Sequence, residues 1–165
     1  MKLLPTILPL ATGLIAGALA LPAAVSAAAA PTFYADSGDA CPYGATKGTL
    51  SWQAISPTAY SSVQVTGSVV DQPVQPPTST ACANDAYYST AYFTLYVGST
   101  AVDKAAEQVN NAEATFDFTL KPGASSGQFG AESLVVQVCR SPVPPIVGPP
   151  TYCGKPATYS PMSAS

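Results

Sequence analysis

The sequence predicts an all-β protein, an antiparallel β-sandwich of about seven strands. Several short segments alternate strictly between apolar and polar residues, which is the pattern of strands with one buried face. Loops rich in proline, glycine and serine separate these segments. The chain also has four cysteines and no histidine. An even number of cysteines in a short exported chain usually forms disulfides, so we expect two.

Residues 1–27 have the character of a secretory signal peptide. Lys2 is followed by an apolar stretch, Ile7–Leu21, and then by small residues, which is the order of regions in such signals. We expect cleavage after Ala27, because Val25-Ser26-Ala27 fits the small-residue rule for the cleavage site. The alternative is a retained membrane anchor, which the prolines in the stretch disfavour. The mature chain is therefore predicted to be secreted, extracellular and free of the membrane.

The chain after the signal has the size of one domain. We divide it into an N-terminal segment (28–46), the sandwich (47–159) and a disordered tail (160–165). Its few charged residues, of which acids outnumber bases by nine to six over the whole chain, are scattered without a basic patch. Nucleic acid and anionic membranes are therefore poor candidates as partners.

Strands are predicted wherever the alternation is regular. It is clearest in four segments: 63–69, 87–97, 113–120 and 134–138. Weaker candidates are 49–54 and 151–159. Trp52 shares a face with Leu50 and Ala54 in the first of these, so we interpret it as a core residue.

Residues 101–109 are the exception to the β pattern. Thr100 and Asp103 have the spacing of a helix cap, and apolar residues follow at helical spacing from Val102 to Val109. This pattern predicts one short helix. An irregular cross-strand is the alternative.

The order of these segments resembles the immunoglobulin-like sandwich found in many exported bacterial proteins. The segments that carry the resemblance are Val63–Asp71, Tyr87–Val97, Phe116–Leu120 with the turn after it, and Leu134–Cys139. The resemblance is architectural and implies a fold without any functional residue. Cys139 departs from the antibody pattern because it is out of phase with the inward residues before it, so the inter-sheet disulfide is not carried over.

Four cysteines allow three pairings, and we favour Cys41–Cys82 with Cys139–Cys153. The second pair would close the proline-rich segment between its two cysteines. A zinc site is disfavoured, because the C-x-x-C spacing is missing and an exported chain is in an oxidising compartment. No metal site or cofactor is predicted.

Two surfaces are candidates for binding. In a single strand over residues 87–97, Tyr88, Tyr92 and Tyr96 would project from the same side, where exposed tyrosines suit sugars or protein partners. The alternative is that they only pack against neighbouring strands. The second candidate is loop 140–152, whose tip contains Val143, Ile146 and Val147. A tethered apolar loop suits recognition, although a rigid strand connection is the favoured interpretation.

Motifs for catalysis are missing from the sequence. The chain has no histidine, the commonest general base, and it has no nucleophile elbow, phosphate loop or dinucleotide motif. We therefore predict a secreted, non-catalytic domain that binds an extracellular protein or a cell-wall or surface glycan. The alternatives are a protease inhibitor acting through loop 140–152 and a polysaccharide-binding protein. Arg140, the only arginine, is interpreted as a solvated strand end.

Overall fold

The computed structural model describes residues 30–39, 44–56, 59–71, 85–123, 130–144 and 151–161. Within these ranges the chain is all-β, without a helix. The nine strands are β1 (Thr32–Asp36), β2 (Ala45–Ser56), β3 (Ala59–Val70), β4 (Tyr87–Val97), β5 (Thr100–Val109), β6 (Glu113–Leu120), β7 (Ser133–Pro142), β8 (Tyr152–Cys153) and β9 (Ala157–Tyr159). The predicted signal peptide, Cys41, Cys82, Ile146, Val147 and residues 162–165 lie outside the described residues.

The strands form two antiparallel sheets. The first has the order β1-β2-β3-β6, and the second has the order β5-β4-β7-β8, with β9 also paired to β7. The four clearest predicted segments correspond to β3, β4, β6 and β7. The predicted all-β class is therefore confirmed.

The core lies between the two sheets and contains the inward half of each alternating strand. Phe93 of the second sheet packs edge-to-face against Phe33 and Phe116 of the first, at ring-centroid distances of 5.9 and 5.2 Å. The aliphatic residues around these rings are almost fully buried: Val63, Val65, Val69, Leu95, Leu134, Val136 and Val138. Burying a side chain of this kind contributes roughly 1.5–3 kcal/mol, so the sandwich is stabilised mainly by this layer.

Two glycines allow the aromatic layer to close. Gly48 pairs with Gly67 across β2 and β3, and their outer partners are Phe33 and Phe116. Strands β1 and β6 lie three strand spacings apart, about 14 Å, yet these two rings stack with centroids 6.4 Å apart. A Cβ on Gly48 would lie 2.7 Å from Phe33 Cε1. The rings therefore meet in space that only glycine leaves open.

The described part of segment 28–46 contributes to the first sheet. β1 pairs with β2 from Thr32↔Thr49 to Asp36↔Ala45, and its inward residues Phe33 and Ala35 are buried. With only two inward residues, β1 is too short for alternation to identify it from sequence.

The predicted helix over residues 101–109 is wrong, because these residues belong to β5. Gly98 and Ser99 form a two-residue turn, with Gly98 at φ 58°, the conformation that glycine adopts at the first central position of such hairpins. Through this turn, β5 pairs with β4 along the whole length of β5. A helix this short has little stability of its own, so strand pairing outweighs the helical spacing.

Strand β9 connects the two sheets through Tyr159. The backbone of β9 pairs with β7 in the second sheet. The Tyr159 hydroxyl donates a hydrogen bond to the Tyr34 carbonyl at 2.7 Å and accepts one from the Tyr34 N–H at 2.9 Å. Tyr34 lies on the edge strand β1. The hydroxyl thus occupies backbone groups that an added strand would otherwise use.

Candidate functional site

The outer surface of the second sheet carries the three predicted tyrosines, and we call this surface, around Tyr88, Tyr92 and Tyr96, the tyrosine face. The odd-numbered residues of β4 point into the core instead, with Ala91, Phe93 and Leu95 fully buried. Tyr92 is 44% exposed, and Tyr88 and Tyr96 are half-buried. From Tyr88 to Tyr96 the row spans about 26 Å along the strand.

The neighbours of Tyr92 are small or polar. Ala106 of β5 lies opposite it on one side and Gln137 of β7 on the other. Ala106 is exposed, and its methyl group leaves that flank of the tyrosine ring open. Gln137 is held in place because its side-chain amide donates to the Gly154 carbonyl at 3.0 Å. The central ring therefore lies on a rigid strand between two fixed neighbours.

Charge is distributed unevenly over the described part of the sandwich. On the outward positions of β4, β5 and β7 the one charged side chain is Lys104, opposite Thr94. The described carboxylates lie elsewhere. Three are on the first sheet, three surround Arg140, two share the core-facing side of β5, and one binds the Gly98 N–H: Asp36, Glu113, Asp117, Asp39, Asp71, Asp85, Asp103, Glu107 and Glu132.

The base of loop 140–152 is closed by the predicted disulfide Cys139–Cys153, which the structure confirms. Below the loop, Arg140 pairs with Tyr152, and the Ser141 and Thr151 hydroxyls are hydrogen-bonded at 2.9 Å. The Val143 N–H donates to the Ala86 carbonyl at 2.9 Å, and Val143 is half-buried. The loop base is therefore fixed up to Val143, while the other two tip residues, Ile146 and Val147, lie outside the described residues.

Arg140 corrects another sequence interpretation, because it is buried and not a solvated strand end. It is 1% exposed and continues the inward phase of β7 at one end of the sandwich. Its guanidinium binds Asp85 through both terminal nitrogens, at 2.8 and 2.9 Å. It also lies 3.1 Å from an oxygen of Asp71 and 3.6 Å from one of Asp39. The inward phase of the strand was the signal that could have placed it.

The buried Asp71 is fully engaged. Besides Arg140, it accepts hydrogen bonds from the Ser89 hydroxyl at 2.9 Å and the Asn111 N–H at 3.2 Å. Burial alone would lower the pKa of Arg140, but hydrogen bonds and charge from Asp85 and the charge of Asp71 outweigh it and raise the pKa. The arginine stays charged, and the cluster is a structural ion-pair network. It links the end of β7 to the segments after β1, after β3 and before β4.

Tyr152 belongs to the same cluster. Its hydroxyl donates to Asp39 at 2.8 Å, and its ring lies 5.8 Å from that of Tyr87, which in turn lies beneath the Arg140 guanidinium. Burial and the hydrogen bond to Asp39 raise the pKa of Tyr152 to about 12, against the opposing charge of Arg140. The phenol is therefore a fixed, protonated donor at neutral pH.

Trp52 is predicted to be a core residue, and the structure places it at the margin of the core. It is half-buried, packs against the core and makes an edge-to-face contact with Tyr60 at 6.1 Å. Ala54, on the same predicted face, is exposed, because the β2–β3 hairpin extends past the core.

A second surface feature is a shallow, open groove of about 500 Å³ on the first sheet. Its lining includes four threonine or serine residues together with Lys47 and Glu113. It lacks an enclosed volume and has no exposed aromatic ring among its lining residues. Among the described residues, no group of three or more acidic or cysteine side chains is arranged to hold a metal ion, and no helix could span a membrane.

Comparison with known proteins gives no relative for this chain. No family model matches it, no curated protein matches it, and no solved structure matches it.

Proposed function

We propose that this chain is a secreted, non-catalytic binding domain that recognises an extracellular protein or surface polymer through the tyrosine face. The observation that carries the proposal is the row of three tyrosines along β4, with Tyr92 exposed at its centre. Tyrosine offers a large, flat, amphipathic surface and loses little conformational entropy on binding.

The scaffold beneath the row supports this role. β4 lies between β5 and β7, and the inward side chains next to Tyr92 are fully buried. Binding sites on rigid central strands are held more accurately than sites on loops. The disulfide at the end of β7 further favours a chain that works in an oxidising, extracellular compartment.

We also propose that the sandwich is immunoglobulin-like, and the strand order supports this. If β2 to β7 are lettered A, B, C, C′, E and F, and β8 with β9 is G, the sheets become A-B-E and C′-C-F-G. The immunoglobulin constant-type order is ABED with CFG. The difference is that the fourth strand lies in the second sheet, and β1 is added beside A.

The test uses the full chain, expressed with its own N-terminus and purified from the culture medium with disulfides intact. It is immobilised and exposed to culture medium and cell-wall extract of the producing cells. We expect a ligand that is retained by the wild type and lost from Y92A. The matched control is Y34A, which removes a tyrosine of similar exposure, 54%, from the first sheet.

A second variant, A106E, places a carboxylate opposite Tyr92 on an exposed position and should also abolish retention. A ligand retained equally by wild type, Y92A and A106E would show that the tyrosine face is only structural and would overturn the proposal.

A further inference from the structure

We infer that the ligand of the tyrosine face is an uncharged polysaccharide chain that lies along β4. This inference rests on the proposed function and narrows it to one class of ligand. It depends on the shape of the aromatic row, the side chains between the rings, and the charge of the surface.

The shape favours a linear polymer. The three tyrosines form a single file on one strand and not a cluster across several strands. Because alternate residues along a strand are spaced regularly, the rings recur about every 13 Å. A ligand that contacts all three must itself be extended over roughly 26 Å, as a chain of sugar rings is.

The chemistry between the rings also suits sugars. A pyranose ring has one apolar C–H face, which can stack on a tyrosine ring, and a rim of hydroxyls that donate and accept hydrogen bonds. On the same side of the sheet as Tyr92 lie the Thr94 hydroxyl and the Gln137 amide. Gln137 offers both donor and acceptor groups. Hydrogen-bonding groups thus flank Tyr92 both on its own strand and on β7.

A protein partner fits this surface less well. Stable protein interfaces bury about 800 Å² on each partner and have an apolar centre. Around Tyr92 the adjacent positions are Ala106 and Gln137, and Val135 is a half-buried aliphatic neighbour one row away.

The charge distribution favours an uncharged chain over an acidic one. Lys104 is the one charged side chain on the outward positions of β4, β5 and β7, whereas recognition of a polyanion needs several cations along the path. An uncharged polysaccharide is the ligand that this surface complements.

Co-sedimentation with insoluble cellulose and chitin, and gel retardation with soluble xylan and with acidic polygalacturonate, test the inference. The protein is the full chain purified from culture medium, as wild type, Y92A, A106E, K104Q and Y34A. We expect wild type, K104Q and Y34A to bind at least one uncharged polymer with similar affinity, insensitive to high salt. Y92A and A106E should each bind about tenfold more weakly, which corresponds to roughly 1.4 kcal/mol.

The outcomes separate this inference from the proposed function. Binding to polygalacturonate alone, lost in K104Q or in high salt, would overturn the inference in favour of charge attraction. Binding to none of the four polymers, together with Tyr92-dependent capture of a protein, would overturn the inference and leave the proposed function standing. Polysaccharide binding that is unchanged in Y92A and A106E would overturn both. Urea unfolding of each variant, with a midpoint near that of the wild type, verifies that the surface and not the fold has changed.

Discussion

At the scale of single residues, Arg140 shows how a buried charge organises one end of the sandwich. Three carboxylates, from residues that precede or follow strands, converge on its guanidinium. Removing the cation leaves Asp71, which is 2% exposed, as an uncompensated buried charge. Such losses cost far more than a surface ion pair contributes.

We therefore expect R140Q to lose about 3–5 kcal/mol of the free energy of unfolding. R140K should lose less, because it keeps the charge but cannot bind Asp85 with two nitrogens. Urea denaturation measures both, with K104Q as the control for loss of an exposed cation, for which a change within about 0.5 kcal/mol is expected. Equal stability of R140Q and K104Q would contradict the role assigned to Arg140.

Tyr152 predicts how the protein responds to alkaline pH. Its pKa is about 12 in the folded chain and 10.0 in the reference state. Between these values the unfolded chain releases the phenol proton and the folded chain keeps it, so the stability contributed by this group falls as pH rises. It is fully present below pH 10 and is lost through the interval up to about pH 12.

Urea midpoints measured over this alkaline interval should fall less steeply for Y152F than for wild type, because Y152F has no proton to release. Tyrosinate absorbance provides a direct reading of the late-titrating phenol, which should be missing from Y152F. The same slope for both proteins would show that Tyr152 does not couple ionisation to folding.

The ion-pair cluster also shows the limit of sequence reasoning at this scale. Arg140 follows Val138 and Val136 in the inward phase, but an arginine is rarely buried unless it is paired. Its partners Asp85 and Asp71 are 55 and 69 residues away in the chain, and nothing local specifies those pairings. The sequence alone therefore favoured a surface position.

At the scale of elements, sequence predicts the strands that have a complete buried face. The bounds of β4 and β6 agree with the predicted segments 87–97 and 113–120, because alternate residues there meet the opposite sheet. β5 is an edge strand, and two of its core-side residues, Asp103 and Glu107, are charged. Inward charges protect an edge from unwanted pairing, and here they also removed the alternation on which prediction depends.

The Gly48–Gly67 pair gives a prediction for the first sheet. In G48A the new methyl group would overlap the Thr66 carbonyl oxygen and lie 2.7 Å from both Phe33 Cε1 and Gly67 Cα, so both the β3 backbone and the ring stack must shift. Overpacking of this kind costs about 1–3 kcal/mol. Urea denaturation should show this loss for G48A, whereas T49S, on the exposed side of the same strand, should stay within about 0.5 kcal/mol of wild type. A G48A midpoint equal to that of T49S would mean that the rings do not need the glycine.

At the scale of the whole molecule, sequence predicts two packed layers but not which strands are neighbours. The pairing of β3 with β6 and of β4 with β7 joins strands that are separated in the chain by two other strands. Alternation specifies which residues face inward, but it carries no information on partners. The tyrosine face shows the same lack of information on strand partners. Alternation within one strand predicts that Tyr88, Tyr92 and Tyr96 share a side. The exposure of Tyr92, however, depends on Ala106 and Gln137, which come from the neighbouring strands.

The disulfides are the remaining long-range links, and the position of the ion-pair cluster around Arg140 bears on the predicted Cys41–Cys82 bridge. Cys139–Cys153 joins paired strands, whereas Cys41–Cys82 stays a prediction. Asp39 lies two residues before Cys41, and Asp85 lies three residues after Cys82. Both carboxylates approach the same nitrogen of Arg140, at 3.6 and 2.8 Å. The described residues next to the two cysteines therefore meet at one point of the sandwich, which favours a bridge between them.

Peptide mapping of the non-reduced, denatured protein tests this pairing. Two linked peptide pairs are expected, Cys41 with Cys82 and Cys139 with Cys153, and the second serves as the internal control. The longer loop closed by Cys41–Cys82 restricts the unfolded chain more than a loop near 15 residues, which contributes about 3 kcal/mol. C41S/C82S should therefore lose more stability than C139S/C153S in urea denaturation. Free, alkylated Cys41 and Cys82 in the non-reduced protein would contradict the pairing, and the ion pairs to Arg140 would then be what joins these two segments.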